Sequence, residues 1–179
     1  MVRDVREMMT PMRGPKPAEE PNPDAALSPE DRLLSLGLAL PSPAAPVAAY
    51  VPTVIVDGLM HVSGQLPFQD GVLMVGRVGE DRDPAYAKAA ARACGIMLLA
   101  QIKAALGSLN KVERIVKLGV FINSDPRFTE QPKIANGASE LMVEIFGDAG
   151  THARSAVGVS ILPLGAIVEV DAVVAIRKT

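Results

Sequence analysis

The stretch HARSAVGVSILPLGAIVEVDAVVAI, residues 152–176, holds two side chains that could do chemistry in a run that otherwise reads as sheet core. Arg154 opens one series of alternating residues, and Glu169 sits fifteen positions later in the next. A guanidinium presents a planar fork that matches the two oxygens of a carboxylate, so one arginine can fix both the position and the orientation of a small acid. A carboxylate beside it can take the proton of an attacking water. The same two groups could instead form an ion pair that only bridges subunits. His152, two residues before Arg154, could share its face, although a loop-end histidine is more often solvated than catalytic.

Alternation predicts where these groups point. In strand 166–176, Ile167, Glu169, Asp171, Val173 and Ala175 share one face, and Ala166, Val168, Val170, Ala172, Val174 and Ile176 share the other. In strand 154–162, Arg154, Ala156, Gly158, Ser160 and Leu162 oppose Ser155, Val157, Val159 and Ile161. Taking the branched residues as the helix side in both strands puts Arg154 and Glu169 together on the far face. The tight turn at Pro163-Leu164-Gly165 then makes the two strands neighbours. The small residues of the far face, Ala156 and Gly158, suit a surface covered by another subunit.

The remaining elements follow from capping and turn chemistry. Ser28, Pro29, Glu30 and Asp31 open a short helix that Gly37 ends. Asp57-Gly58 joins strands 53–56 and 59–63 as a hairpin, and 72–75 is a further short strand. Asp83-Pro84 starts a long helix that stops at Gly107, with an alanine-rich stripe that includes Cys94 as packed core. Residues 112–122 form a strand, and a second helix runs from about Glu130 to Phe146. The order β-β-β-α-β-α-β-β predicts an α+β fold, one sheet with helices on one face.

Length and composition bound the function. The chain has 179 residues, 49% of them hydrophobic, and a net charge of −2, which suits one domain with a sizeable core. Ten of the 15 prolines lie in residues 1–52. Residues 1–27 are therefore read as a mobile tail, 28–49 as helix and connector, and 50–176 as the core of a single domain spanning 28–179. Near-neutral charge and only six aromatic residues give no footprint for nucleic acid. One cysteine excludes an internal disulfide, and two histidines leave little material for zinc. No apolar stretch reads as long and continuous enough to span a bilayer, and no secretory signal opens the chain. A cytoplasmic protein is expected.

From Tyr50 to Ile176 the sequence resembles the YjgF family, also called the reactive intermediate deaminase (Rid) or endoribonuclease L-PSP family. YVPTVIVDGLMHVSGQLP is similar to its first hairpin, and the 152–176 stretch to its closing segment, roughly R-x-x-V-x-V-x-x-L-P, a turn, then V-E-[IV]-[ED]-A. The resemblance implies a chorismate-mutase-like fold and a homotrimer around a central barrel, with ligand clefts between subunits. It implies cofactor-free hydrolysis of small 2-imino or enamine acids, such as 2-aminoacrylate and 2-iminobutyrate, to 2-keto acids and ammonia. Arg154 would hold the substrate carboxylate, Glu169 would activate water, and Tyr50 and Ser63 would line the cleft. Ser63 could equally be a strand-end hydroxyl bonded to backbone. Asn136 is the candidate for a ligand-facing asparagine, at a different spacing from the arginine. Where many members carry Cys, this chain has Ala156, which excludes a thiol there. Alternatives are a non-catalytic binder of 2-keto acids or amino-acid derivatives, and an endoribonuclease or translation inhibitor.

Overall fold

The computed structural model describes residues 27–43 and 49–178. Most of the expected tail and part of the connector lie outside the described residues. Helix α1 spans Pro29–Ser35, and Ser28 caps it in a reciprocal box with Asp31. Strands β1 (Thr53–Val56) and β2 (Leu59–Gln65) form the expected hairpin. Its two turn residues, Asp57 and Gly58, both have positive φ, as a two-residue turn between twisted strands requires. Strands β3 (Phe68–Gln69) and β4 (Val72–Leu73) form a separate small ladder, so the short strand expected at 72–75 stands outside the main sheet. Helix α2 (Pro84–Leu106) is capped by the Asp83 side chain and ended by Gly107 in the left-handed region. Strand β5 (Val112–Asn123), helix α3 (Gln131–Phe146), strand β6 (Ala153–Val159) and strand β7 (Val168–Ile176) complete the chain.

The main sheet has the order β1-β2-β7-β5-β6. Strands β6 and β7 are therefore not neighbours, which overturns the expected closing hairpin. Strand β5 lies between them, parallel to β6 and antiparallel to β7. The cause is α3: a helix between two strands is the connection that parallel pairing needs, so β5-α3-β6 closes as a unit. The chain then passes through Pro163–Gly165, over the end of β5, to reach β7. Its return is fixed by the bond from Asn123 N to the Ile167 carbonyl (3.0 Å).

Both long helices cover one face of the sheet. Val168, Val170, Ala172 and Val174 of β7, and Leu118, Val120 and Ile122 of β5, are buried beneath them. The helices also pack on each other closely: a Cβ on Gly137 of α3 would overlap the Lys88 carbonyl of α2. Arg92 and Glu144 clamp the outer side of that contact with two bonds, 2.7 and 3.2 Å. By length and composition alone α2 is long and apolar enough to cross a bilayer, contrary to the reading that no stretch is. Its apolar residues instead face the sheet and α3, where Ala90, Ala91, Cys94, Leu98 and Ile102 are buried.

Candidate functional site

Register places Arg154 on the helix side of the sheet. It pairs with Leu118 of β5, which in turn pairs with Ala172 of β7, and residues so aligned share a face. Leu118 and Ala172 are buried under the helices. Arg154 accordingly reaches α3: its Nη1 donates to Asn136 Oδ1 (2.9 Å) and Ser139 Oγ (3.0 Å), and its Nη2 to the Pro132 carbonyl (3.2 Å). The prediction that Arg154 lies on the far face with Glu169 is thus corrected. Gly158 and Ala156 sit on the helix side as well. A Cβ on Gly158 would meet Ser124 Oγ at 2.7 Å and Gln131 Nε2 at 2.9 Å. The small residues of β6 therefore make room for the start of α3, and its branched residues turn outward, leaving Val157 45% exposed.

The electrostatic state of Arg154 is unusual for a half-buried cation. Its three acceptors are all neutral, and among the described residues it forms no ion pair. A guanidinium has five N–H donors. Three are engaged, so Nε–H and one Nη2–H remain. Beside it, His152 Nε2 lies 3.0 Å from Ser139 Oγ, and Nδ1 2.6 Å from the Gly150 carbonyl. Burial draws the imidazole pKa below its usual value, Gly150 opposes this, and the charge of Arg154 adds to it.

Glu169 occupies the opposite face. It pairs with Phe121, which pairs with Val157, and among the described residues no helix covers that row. The strand β2 bulges between Val62 and Gln65 beside it. Gly64 sits in the bulge, where a Cβ would overlap the Glu169 carboxylate. The carboxylate is half-buried and makes no hydrogen bond among the described residues. Burial first, and the charge of Asp171 second, push its pKa above the ordinary carboxylate value. Asp171, two residues on, accepts from Gly119 N (3.1 Å). Ser63 takes the backbone role: its Oγ donates to the Val51 carbonyl (2.9 Å), which ties down the segment carrying Tyr50. Tyr50 is half exposed at that end of the sheet.

The candidates thus fall into two groups. Arg154 gathers Asn136, Ser139 and His152, whereas Ser63 and Glu169 belong to the other face, with Tyr50 on the segment that Ser63 ties down. Glu169 and Arg154 are two strands apart and three residues out of register, about 14 Å between Cα atoms, with side chains on opposite faces. An ion pair between them inside one chain is excluded. Ser139 was not foreseen, although it lies one helical turn from Asn136 on the same face of α3, the spacing at which two side chains share a partner. A groove of about 680 Å³ runs along α2, lined by Leu40, Phe68, Arg92, Ile96 and Met97 among others, and includes none of these residues.

Residues 30–175 match the family described as "YjgF/chorismate mutase-like, putative endoribonuclease". The chain belongs to the YjgF family. It is 51% identical over 148 residues to Protein TCP17 of Trypanosoma cruzi, covering 82% of this chain and 92% of that one. A solved protein of unknown function from Agrobacterium tumefaciens shares 47% identity over 83% of this chain and 92% of its own, with a TM-score of 0.78. A provisionally named endoribonuclease from Shewanella oneidensis shares 35% identity over 84% of this chain and 100% of its own, with a TM-score of 0.81. The fold is the chorismate-mutase-like α+β fold of this YjgF family member.

Proposed function

We propose that this YjgF protein hydrolyses small 2-imino or enamine acids, of the size of 2-aminoacrylate and 2-iminobutyrate, to 2-keto acids and ammonia. The observation that carries the reading is the state of Arg154: a half-buried guanidinium held by three neutral groups, with no carboxylate partner among the described residues and two donors left over there. A fixed cation with a spare fork is the receptor a small carboxylate needs. The substrate supplies its own electrophile. Water adds to the imine carbon, a base takes its proton, and the carbinolamine expels ammonia to leave the keto acid.

Glu169 is the base in this reading. It has no hydrogen-bond partner among the described residues, and its raised pKa strengthens it as a proton acceptor. Because Arg154 and Glu169 lie on opposite faces, the site is assembled from two copies, the arginine of one and the glutamate of the next. Tyr50 lies at the glutamate end. A homotrimer in the cytoplasm is the assembly that goes with this reading, the uncovered sheet faces turned to one another. The test is ammonia release from freshly generated 2-iminobutyrate by purified protein. Wild type should accelerate it, and Arg154→Ala should not. Tight 2-ketobutyrate binding without any acceleration would make the protein a keto-acid binder and refute hydrolysis.

A further inference from the structure

The guanidinium of Arg154 rests on a chain of hydrogen bonds that runs through Ser139 to His152. Arginine can only donate, so Ser139 Oγ accepts from Nη1. Ser139 Oγ also lies 3.0 Å from His152 Nε2. On the other side of the ring, the Gly150 carbonyl can only accept. Nδ1 therefore carries a proton, and in the neutral ring Nε2 is bare and accepts from the Ser139 hydroxyl. Arg154 is the charged group acting on the ring. From β5, Arg114 reaches the adjacent Thr151 carbonyl (3.2 Å), and Asp148 on the preceding turn is exposed.

The backbone is shaped to deliver this chain. A Cβ on Gly150 would overlap the Met142 carbonyl and lie 2.8 Å from Val143 Cα. The turn can rest against the last turn of α3 only as glycine, and that contact sets the carbonyl that orients His152. Helix α3 supplies Ser139 one turn after Asn136, so one helical face contributes both acceptors for Nη1.

We infer that Ser139 and His152 are positioning residues for Arg154: carbonyl, imidazole and hydroxyl act in series to hold the guanidinium with its two remaining donors free for a carboxylate. The functional half of this inference rests on the reading that Arg154 captures the substrate acid. A carboxylate on Arg154 also offsets the charge that depresses His152, so ligand binding should raise the imidazole pKa.

Three measurements test it. Long-range ¹H–¹⁵N spectra of the full-length protein should show neutral His152 protonated on Nδ1, and its pKa should rise in Ser139→Ala, because Nε2 loses the donor that favours the neutral form. Relaxation at Arg154 Nε should show an ordered group in wild type that loosens in Ser139→Ala and His152→Ala and recovers in Ser139→Thr. Binding of 2-ketobutyrate should weaken about 2- to 10-fold in Ser139→Ala and His152→Ala, the effect expected for one neutral hydrogen bond. It should return in Ser139→Thr, with KM shifted more than kcat. An Nε2–H tautomer in wild type, or an Arg154 Nε equally ordered in Ser139→Ala, overturns the positioning role. If Arg154→Ala binds 2-ketobutyrate as tightly as wild type, the carboxylate reading fails, and the tautomer and relaxation results decide the positioning chain separately. Should Ser139→Ala not fold, Ser139→Cys, whose thiol is a poor donor, replaces it.

Discussion

Replacing Arg154 by lysine separates charge from geometry. Lysine brings three donors on one nitrogen, and the pocket wall offers three neutral acceptors: Asn136 Oδ1, Ser139 Oγ and the Pro132 carbonyl. An ammonium drawn to those acceptors keeps its charge and has no donor left for a ligand. One that turns to the ligand abandons the wall and can still make no fork. Wild-type arginine serves both at once, with three donors to the wall and two to the acid. The loss is therefore at least one charge-assisted bond, worth roughly 1.5–3 kcal/mol, together with the orientation that the second bond supplied. We expect 2-ketobutyrate affinity to fall by about 2–4 kcal/mol, roughly 30- to 1000-fold, with Arg154→Ala at or beyond the upper end. Isothermal calorimetry at fixed ionic strength measures this directly, and thermal melts control for folding. If Arg154→Lys binds the keto acid as tightly as wild type, the spare fork is not the receptor and the argument from donor counting fails.

Glu169→Gln should leave keto-acid binding intact while imine hydrolysis falls about 10²–10⁴-fold, as expected when a positioned base is removed. Folding raises the Glu169 pKa, so wild type loses that group's share of stability as pH climbs from the ordinary 4.5 through the folded value. The glutamine variant should therefore melt higher than wild type at pH 8, and the two should converge at pH 4. Val157→Asp places a charge on the uncovered face beside the Phe121–Glu169 row. If that face is covered in the assembly, sedimentation should show dissociation with secondary structure retained, since an unpaired buried charge costs several kcal/mol. An unchanged particle mass would refute the cover. Glu30 accepts from Lys103 Nζ (2.6 Å) and Leu109 N (2.9 Å), tying α1 to the end of α2. Burial raises its pKa, but these bonds outweigh it and leave the net value lowered. Glu30→Gln should lower the melting temperature by roughly 2–4 °C at pH 7. The difference should shrink and then vanish as pH falls below the ordinary carboxylate value, because a depressed carboxylate stabilises above its unfolded pKa and stops doing so as pH falls through the folded one.

Local chemistry was legible in the sequence. Ser28, Asp57-Gly58, Asp83 and Gly107 act where their types predicted, because caps and turns depend on a few adjacent residues. Strand β7 was read correctly, since one of its faces is wholly apolar and the other carries Glu169 and Asp171. Strand β6 was misread because both of its faces satisfy an apolar rule. Its helix side is small to admit α3, and its outer side is branched. Alternation alone cannot tell a face buried in the chain from one left apolar outside it. The pairing signal was present in the β5-α3-β6 order, where a helical crossover favours parallel strands. The eight residues between β6 and β7 were also too many for a two-residue hairpin. The link between Arg154 and α3 was beyond pattern reading, because it depends on which way β6 faces.

The opposite facing of Arg154 and Glu169 changes what a single chain can do. Were Arg154 and Glu169 on one face of neighbouring strands, each monomer would hold a complete site. Their placement on opposite faces, about 14 Å apart at Cα, leaves each monomer with two halves that cannot meet. A closed cyclic assembly repairs this, since every interface brings one side of a subunit to the other side of its neighbour. Arg154→Ala and Glu169→Gln should each be nearly inactive alone. Mixed, unfolded and refolded together at equal amounts, they should recover activity. An interface works when the glutamine chain supplies its intact arginine and the alanine chain its intact glutamate, which random assembly gives in about one interface in four. Recovery to roughly a quarter of the wild-type rate is expected, and none without subunit exchange. If exchange is complete by mass spectrometry and the mixture stays inactive, the two residues do not complete one another across an interface, and the shared-site mechanism is wrong.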